Sequence, residues 1–130
     1  NIIIGDSAPA PLTTVWLQTR TLGSEWNYAS ILLSYMDSQG QMQSIAPTSV
    51  QELSRVPGPP LFGNPTVNVE NLFVWDFSSI IDPVQTFSIN LTHTGQHLSV
   101  DTVELDTLSI PAPGALAFAP LALVSLRRRR

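Results

Sequence analysis

The sequence has no cysteine and no lysine, and only two arginines, Arg20 and Arg55, ahead of its last four positions. Without cysteine there is no disulfide, no thiolate metal ligand and no cysteine nucleophile, while the redox compartment stays open. Four of the six cations are Arg127 to Arg130, so the remainder sets two cations against ten acids, a net charge of −8. Such a surface repels a phosphate backbone, and nucleic acid is excluded as a partner. Neither a G-x-S-x-G elbow nor an H-E-x-x-H pair occurs, and no stretch before Pro111 keeps a 3.6-residue apolar period. The chain opens at Asn1 with no basic segment, apolar run and small-residue cleavage site in series, so it reads as a fragment or processed form.

What is present is short apolar alternation broken by turn residues. With 130 residues, one folded unit plus its ends is expected. From Thr13 onward Val15, Leu17 and Thr19 fall on one face and Trp16, Gln18 and Arg20 on the other, as in a strand. Tyr28 to Asp37, the turn residues Ser38-Gln39-Gly40 and Met42 to Ile45 read as a hairpin. Thr48 to Leu53 fits a short strand or a helical turn equally well. Arg55 to Pro65 holds four of the eleven prolines and two glycines and is expected to be a loop. Val67 to Phe77 resumes as strand, and after the Asp82-Pro83 turn Phe87, Ile89 and Leu91 alternate with Ser88, Asn90 and Thr92. Thr94-Gly95 turns the chain, and Leu98, Val100, Val103 and Leu105 form the return. The odd spacing of Val100 and Val103 predicts a bulge at Asp101-Thr102. Six to eight short strands with these breaks predict an all-β, antiparallel, jelly-roll-like sandwich over residues 1–109, with no internal repeat.

The last segment is different in kind. From Ser109 to Leu126 there is no charge, and four arginines follow. Leu116, Phe118, Leu121, Leu123, Val124 and Leu126 each favour the bilayer centre by roughly 0.3–0.6 kcal/mol, about 2–4 kcal/mol together. A helix from Pro113 to Leu126 would be about 21 Å long against a hydrocarbon core of about 30 Å, so snorkelling arginines and local thinning must make up the difference. Pro120 removes one helix hydrogen bond, which membrane helices tolerate, and Pro111 and Pro113 suit a helix entrance. By the positive-inside rule Arg127, Arg128, Arg129 and Arg130 stay in the cytoplasm and the β domain faces outward.

Pro111-Ala112-Pro113, the apolar stretch Gly114 to Leu126 and the arginine cluster together resemble the PEP-CTERM sorting signal of exported bacterial proteins, with Ala112 in place of the usual glutamate. The resemblance implies recognition by a membrane-embedded exosortase that cleaves near the motif, and an association of the bearer with the cell envelope or extracellular polysaccharide. It covers residues 110–130 and speaks to sorting. The run from His97 to Pro113 is also similar to the closing strand and exit of jelly-roll modules in exported envelope proteins.

For chemistry in the body the residues offer little. His93 and His97 are four apart across a turn and read as solvent-exposed turn residues rather than metal ligands. Asp101, Glu104 and Asp106 read as solvated strand edges, since a calcium site needs six or more oxygens from several loops. Asn90-Leu91-Thr92 matches the glycosylation pattern by composition alone. Trp16, Trp26 and Trp75, with Tyr28, are the candidates for a ligand platform, although aromatics in a small sandwich more often fill its core. The expectation is therefore a non-enzymatic envelope or matrix protein, without metal or cofactor, whose partners are the membrane through its tail, an exosortase-type enzyme and polysaccharide. The competing expectations are a carbohydrate-binding accessory module of a larger secreted enzyme and a small hydrolase.

Overall fold

Period-two burial carries the architecture. A computed structural model describes residues 1–95 and 97–110. Within them lie eight strands: β1 (Ile2–Ser7), β2 (Leu12–Gly23), β3 (Leu32–Met36), β4 (Met42–Ile45), β5 (Ser49–Leu61), β6 (Asn64–Asp76), β7 (Thr86–Leu91) and β8 (Leu98–Ser109). They form two antiparallel sheets of four, β1-β7-β3-β4 and β5-β6-β2-β8. Along β2, Val15, Leu17, Thr19 and Thr21 are buried and the residues between them are turned outward; β6 does the same with Val69, Asn71, Phe73 and Trp75. In the other sheet Phe87, Ile89 and Leu91 of β7 and Leu33 and Tyr35 of β3 supply the inward face. Val15, Leu17, Phe73 and Trp75 of one sheet and Leu33, Tyr35, Phe87, Ile89 and Leu91 of the other, with Leu12, Trp26, Ile31, Phe77 and Val84, make one continuous core between the sheets. Each fully buried large side chain contributes about 1.5–3 kcal/mol from removal of apolar surface. Edge-to-face contact between Tyr35 and Phe77, 6.3 Å apart at 74°, adds to it.

Two buried indoles tie loops to sheets. Trp26 lies in the segment between β2 and β3 and donates its Nε1–H to Thr19 Oγ1 at 2.9 Å, inside the core. Trp75 on β6 donates to the carbonyl of Ile45 at 3.2 Å, which joins β4 of one sheet to β6 of the other.

Several expectations meet the structure directly. Val15, Leu17 and Thr19 share the buried face of β2, β3 and β4 are paired as a hairpin, and β8 pairs with β2 through a register shift that leaves Asp101 as the extra residue. Three need correction. Tyr28–Ser30 is a 3-10 turn, so the strand of that hairpin begins only at Leu32. Arg55 to Pro65 is no loop: β5 runs through Pro57, Gly58, Pro59 and Pro60 and closes a hairpin with β6. Proline is admitted there because β5 is the outer strand of its sheet, where a missing N–H on the open side costs no ladder bond. Finally β8 does not return along β7; the chain leaves β7 in one sheet and joins β2 in the other. The tail helix expected after Pro113 lies outside the described residues.

The Trp26–Thr19 hydrogen bond is enclosed, so its partners should be energetically coupled. Replacing Trp26 by Phe orphans a buried hydroxyl, and replacing Thr19 by Val orphans a buried N–H, each costing about 1–3 kcal/mol. The double variant removes both polar groups and should unfold in urea with a loss clearly smaller than the sum of the two. Strict additivity would show that the bond is not made.

Candidate functional site

The residues singled out from sequence are scattered by the fold. Trp26 and Trp75 are buried in the core and present no face to a ligand, which removes two of the four aromatic candidates for a ligand platform. The reason is alternation: Trp75 shares the inward face of β6 with Phe73, and Trp26 plugs the space beside Thr19. Trp16 is half-buried on the outer face of its sheet, between Val74 of β6 and Asp106 of β8. His93 is exposed and bridges to Trp26 through the backbone, with its Nδ1 against the carbonyl of Gly95. His97 is exposed as well. Asp101 pairs with Arg20 at 3.6 Å, both well exposed, a contact worth little in water. Glu104 and Asp106 stand opposite Gln18 and Trp16 in the ladder. Among the described residues no group of three or more His, Asp or Glu side chains is disposed to hold a metal ion. Pro111, Ala112, Pro113, Gly114, Leu116, Phe118, Leu121, Leu123, Val124, Leu126 and Arg127 to Arg130 lie outside the described residues.

A cleft that no single stretch of sequence announces sits at the far end of β2. The β5–β6 hairpin projects past that end and turns at Phe62-Gly63, with φ of 51° and 79°, the two positive values that a type I′ hairpin turn requires. Between Gly58 and Leu61 the register slips, because Pro59 and Pro60 face the single Pro65; Thr66 Oγ1 donates to the Pro59 carbonyl at 2.6 Å and holds this bulge. The tip meets the loop entering β8, and the Phe62 ring lies 5.5 Å from the His97 imidazole. At Gly23 a side chain would strike the His97 carbonyl, so the loop closes directly onto the end of β2, where Ser24 N–H donates to that carbonyl at 2.7 Å. Two adjoining depressions result. One of about 120 Å³ is lined by Gly23, Ser24, Leu61, Asn64, Pro65, Thr66 and His97; the other, about 240 Å³, by Leu22, Leu61, His97, Leu98 and Ser99. The local sign of this place in the sequence is Phe62-Gly63, a bulky residue where a hairpin of this type ordinarily takes Asn.

A second grouping is electrostatic. The Arg55 guanidinium on β5 donates to Glu25 Oε1 and Oε2 at 2.7 and 2.9 Å and to both oxygens of Glu52. Tyr28 OH donates towards Asn71 Oδ1 at 3.3 Å and lies 3.4 Å from Glu25. Arg55 holds the Glu25 carboxyl below the usual carboxylate range, against a smaller opposing effect of burial. Burial pushes the Tyr28 phenol up. The two acids hold the Arg55 guanidinium more firmly protonated than usual. This cluster fastens the segment between β2 and β3 onto the outermost strand, with one guanidinium shared by two carboxylates.

The chain matches no family model, no curated protein and no solved structure. What the geometry offers is thus read from the residues alone: a shallow cleft of hydroxyl, amide and imidazole groups with an aromatic ring at its rim, and an ion-pair strut beside it.

The strut has a pH signature. Because the folded-state pKa of Glu25 is depressed, its contribution to stability is complete above the ordinary carboxylate range and is lost as the pH falls through the lowered value. Asp37 and Asp76, lowered by backbone N–H donors of Gln41 and of Ser78 respectively, act in the same direction. Urea midpoints measured from neutral to acid pH should fall, and Arg55→Gln should lower the neutral-pH midpoint while flattening the acid slope. An unchanged slope in that variant would show that the Arg55–Glu25 pair is not what depresses Glu25.

Proposed function

We propose that this protein is a non-enzymatic component of the bacterial cell envelope or extracellular matrix: an outward-facing, jelly-roll-like β-sandwich delivered by a PEP-CTERM-like tail. The observation that carries the reading is the terminal sequence. Pro111-Ala112-Pro113, the uncharged stretch to Leu126 and four consecutive arginines fit a short membrane segment with a cytoplasmic cap and an outward body. An exosortase-type enzyme acting near the Pro-Ala-Pro motif would release the β domain to the surface. A jelly-roll-like wrapping is supported by the nesting of pairs, β1 with β7 in one sheet and β2 with β6 in the other.

The way the chain approaches its tail also supports an anchor. The last strand is the long β8, laddered to β2 from Gly23↔Leu98 to Leu12↔Ser109, and Ile110 N–H then donates to the Pro11 carbonyl at 3.0 Å. Tension from a membrane segment beyond Pro111 would load this ladder lengthwise, so many hydrogen bonds share it. Among the described residues no helix is long and apolar enough to cross a membrane.

Flotation with phosphatidylglycerol-containing vesicles tests it. The full chain should rise with the vesicles, and Leu121→Asp with Leu123→Asp should leave it behind, since each aspartate at a helix centre opposes insertion by roughly 2.5–3.5 kcal/mol. Recovery of the intact chain from the vesicle-free fraction as a dissolved monomer would overturn the proposal.

A further inference from the structure

The hairpin tip breaks a local rule in a way that its own packing does not repay. A left-handed conformation is costly for a non-glycine residue, and Asn is the side chain that bears it best. Phe62 adopts it and yet is 86% exposed, so little burial offsets the penalty. Backbone strain of this kind clusters at functional sites, which makes the tip a place to look for one. The ring stands at the rim of the cleft, tilted by 40° to His97, which lines both depressions.

The lining restricts what can be recognised. Ser24, Asn64, Thr66, His97 and Ser99 supply hydroxyl, amide and imidazole groups, each of which can donate or accept, interleaved with Leu22, Leu61 and Leu98. No carboxylate, lysine or arginine lines either depression. A nucleic acid would meet a body that sets ten acids against two arginines ahead of Arg127, a net charge of −8 there. An extended peptide would need a row of free backbone donors, and on the neighbouring edge Pro57, Pro59 and Pro60 have none. A lipid chain calls for a deep apolar cavity, whereas these depressions are shallow and half polar. A sugar ring has the matching anatomy, a C–H face for the aromatic and a girdle of hydroxyls for amide, imidazole and hydroxyl partners.

We propose that the cleft between the β5–β6 tip and the loop entering β8 binds a neutral oligosaccharide, with one sugar ring stacked on Phe62 and its hydroxyls bonded by His97, Asn64, Ser24 and Ser99. The two depressions share Leu61 and His97, and each is smaller than the roughly 300 Å³ at which small-ligand pockets begin, so they accommodate a short segment of a chain rather than enclosing a whole ligand. The proposal stands apart from sorting by the tail and survives the failure of that reading.

The full chain in mild detergent, followed by NMR of the Phe62 and His97 ring signals, is titrated with cellotriose, maltotriose and mannotriose, and with trigalacturonate as the acidic counterpart. At least one neutral trisaccharide should shift both rings saturably at millimolar concentration, with trigalacturonate about tenfold weaker or worse. Phe62→Asn should weaken that binding about tenfold or more while leaving the thermal midpoint equal or higher, because it relieves the turn. Phe62→Trp should retain it, and His97→Ala should weaken it. Three outcomes overturn the proposal: no saturable shift with any of the three neutral sugars, trigalacturonate binding as well as they do, or neutral-sugar binding that Phe62→Asn leaves intact.

Discussion

Burying a tryptophan removes a large apolar surface from water, but the indole N–H must still find an acceptor, and the two places where it does so here decide how the layers are joined. Trp75 reaches from β6 to the Ile45 carbonyl at the end of β4, so the two sheets are fixed to one another by a hydrogen bond as well as by their shared core. Trp26 reaches Thr19 and thereby fixes the segment after β2 against the inner face of its own sheet. That segment then presents Glu25 to Arg55 and Tyr28 to Asn71, and its first residue, Ser24, becomes part of the cleft wall. Loosening the Trp26 bond would disturb in turn the strut, the cleft floor and the seat of His97, because Ser24 N–H and the Thr94 N–H bond to Glu25 hold the loop before β8 in place.

How far the sequence discloses this depends on whether an element is set by its own residues or by its neighbours. The strands β2 and β7 were legible because each buries one face only, and alternation survives in the residue order. The bulge at Asp101 was legible for the same reason, since an odd spacing of apolar residues on a half-buried strand requires an extra residue somewhere. The Pro-rich stretch misled because proline forbids only an internal strand; that β5 is outermost is a property of the sheet, not of the segment. The partner of β8 was equally hidden, for β7 ends where a short turn could have folded the chain back along the same sheet.

The site was less legible than the fold. Its walls come from the end of β2, the β5–β6 tip and the loop before β8, segments roughly thirty to forty positions apart, and no local pattern brings them together. His97 was visible as a turn residue but not as the wall shared by two depressions. Tryptophan drew attention because it is the aromatic best suited to stacking, yet two of the three are the very residues the core needs. The phenylalanine that is exposed could have been noticed only by asking why Phe precedes Gly where a tight hairpin favours Asn.

The long outer strands explain why that hairpin has its shape. Sheets with open edges invite pairing with other chains, and among the described residues one sheet has two long edges, β5 and β8. On β8 the edge is protected by the Asp101 bulge and by Glu104 and Asp106. On β5 it is protected by prolines that cannot donate to an incoming strand. The same prolines produce the slip in register that Thr66 holds, and the slip carries the tip to His97. One device thus serves two ends: the residues that blunt the edge against unwanted partners also bend the arm that completes the cleft. A straight β5 bearing ordinary residues in place of Pro59 and Pro60 would therefore be expected to lose the cleft and to expose a pairing edge together.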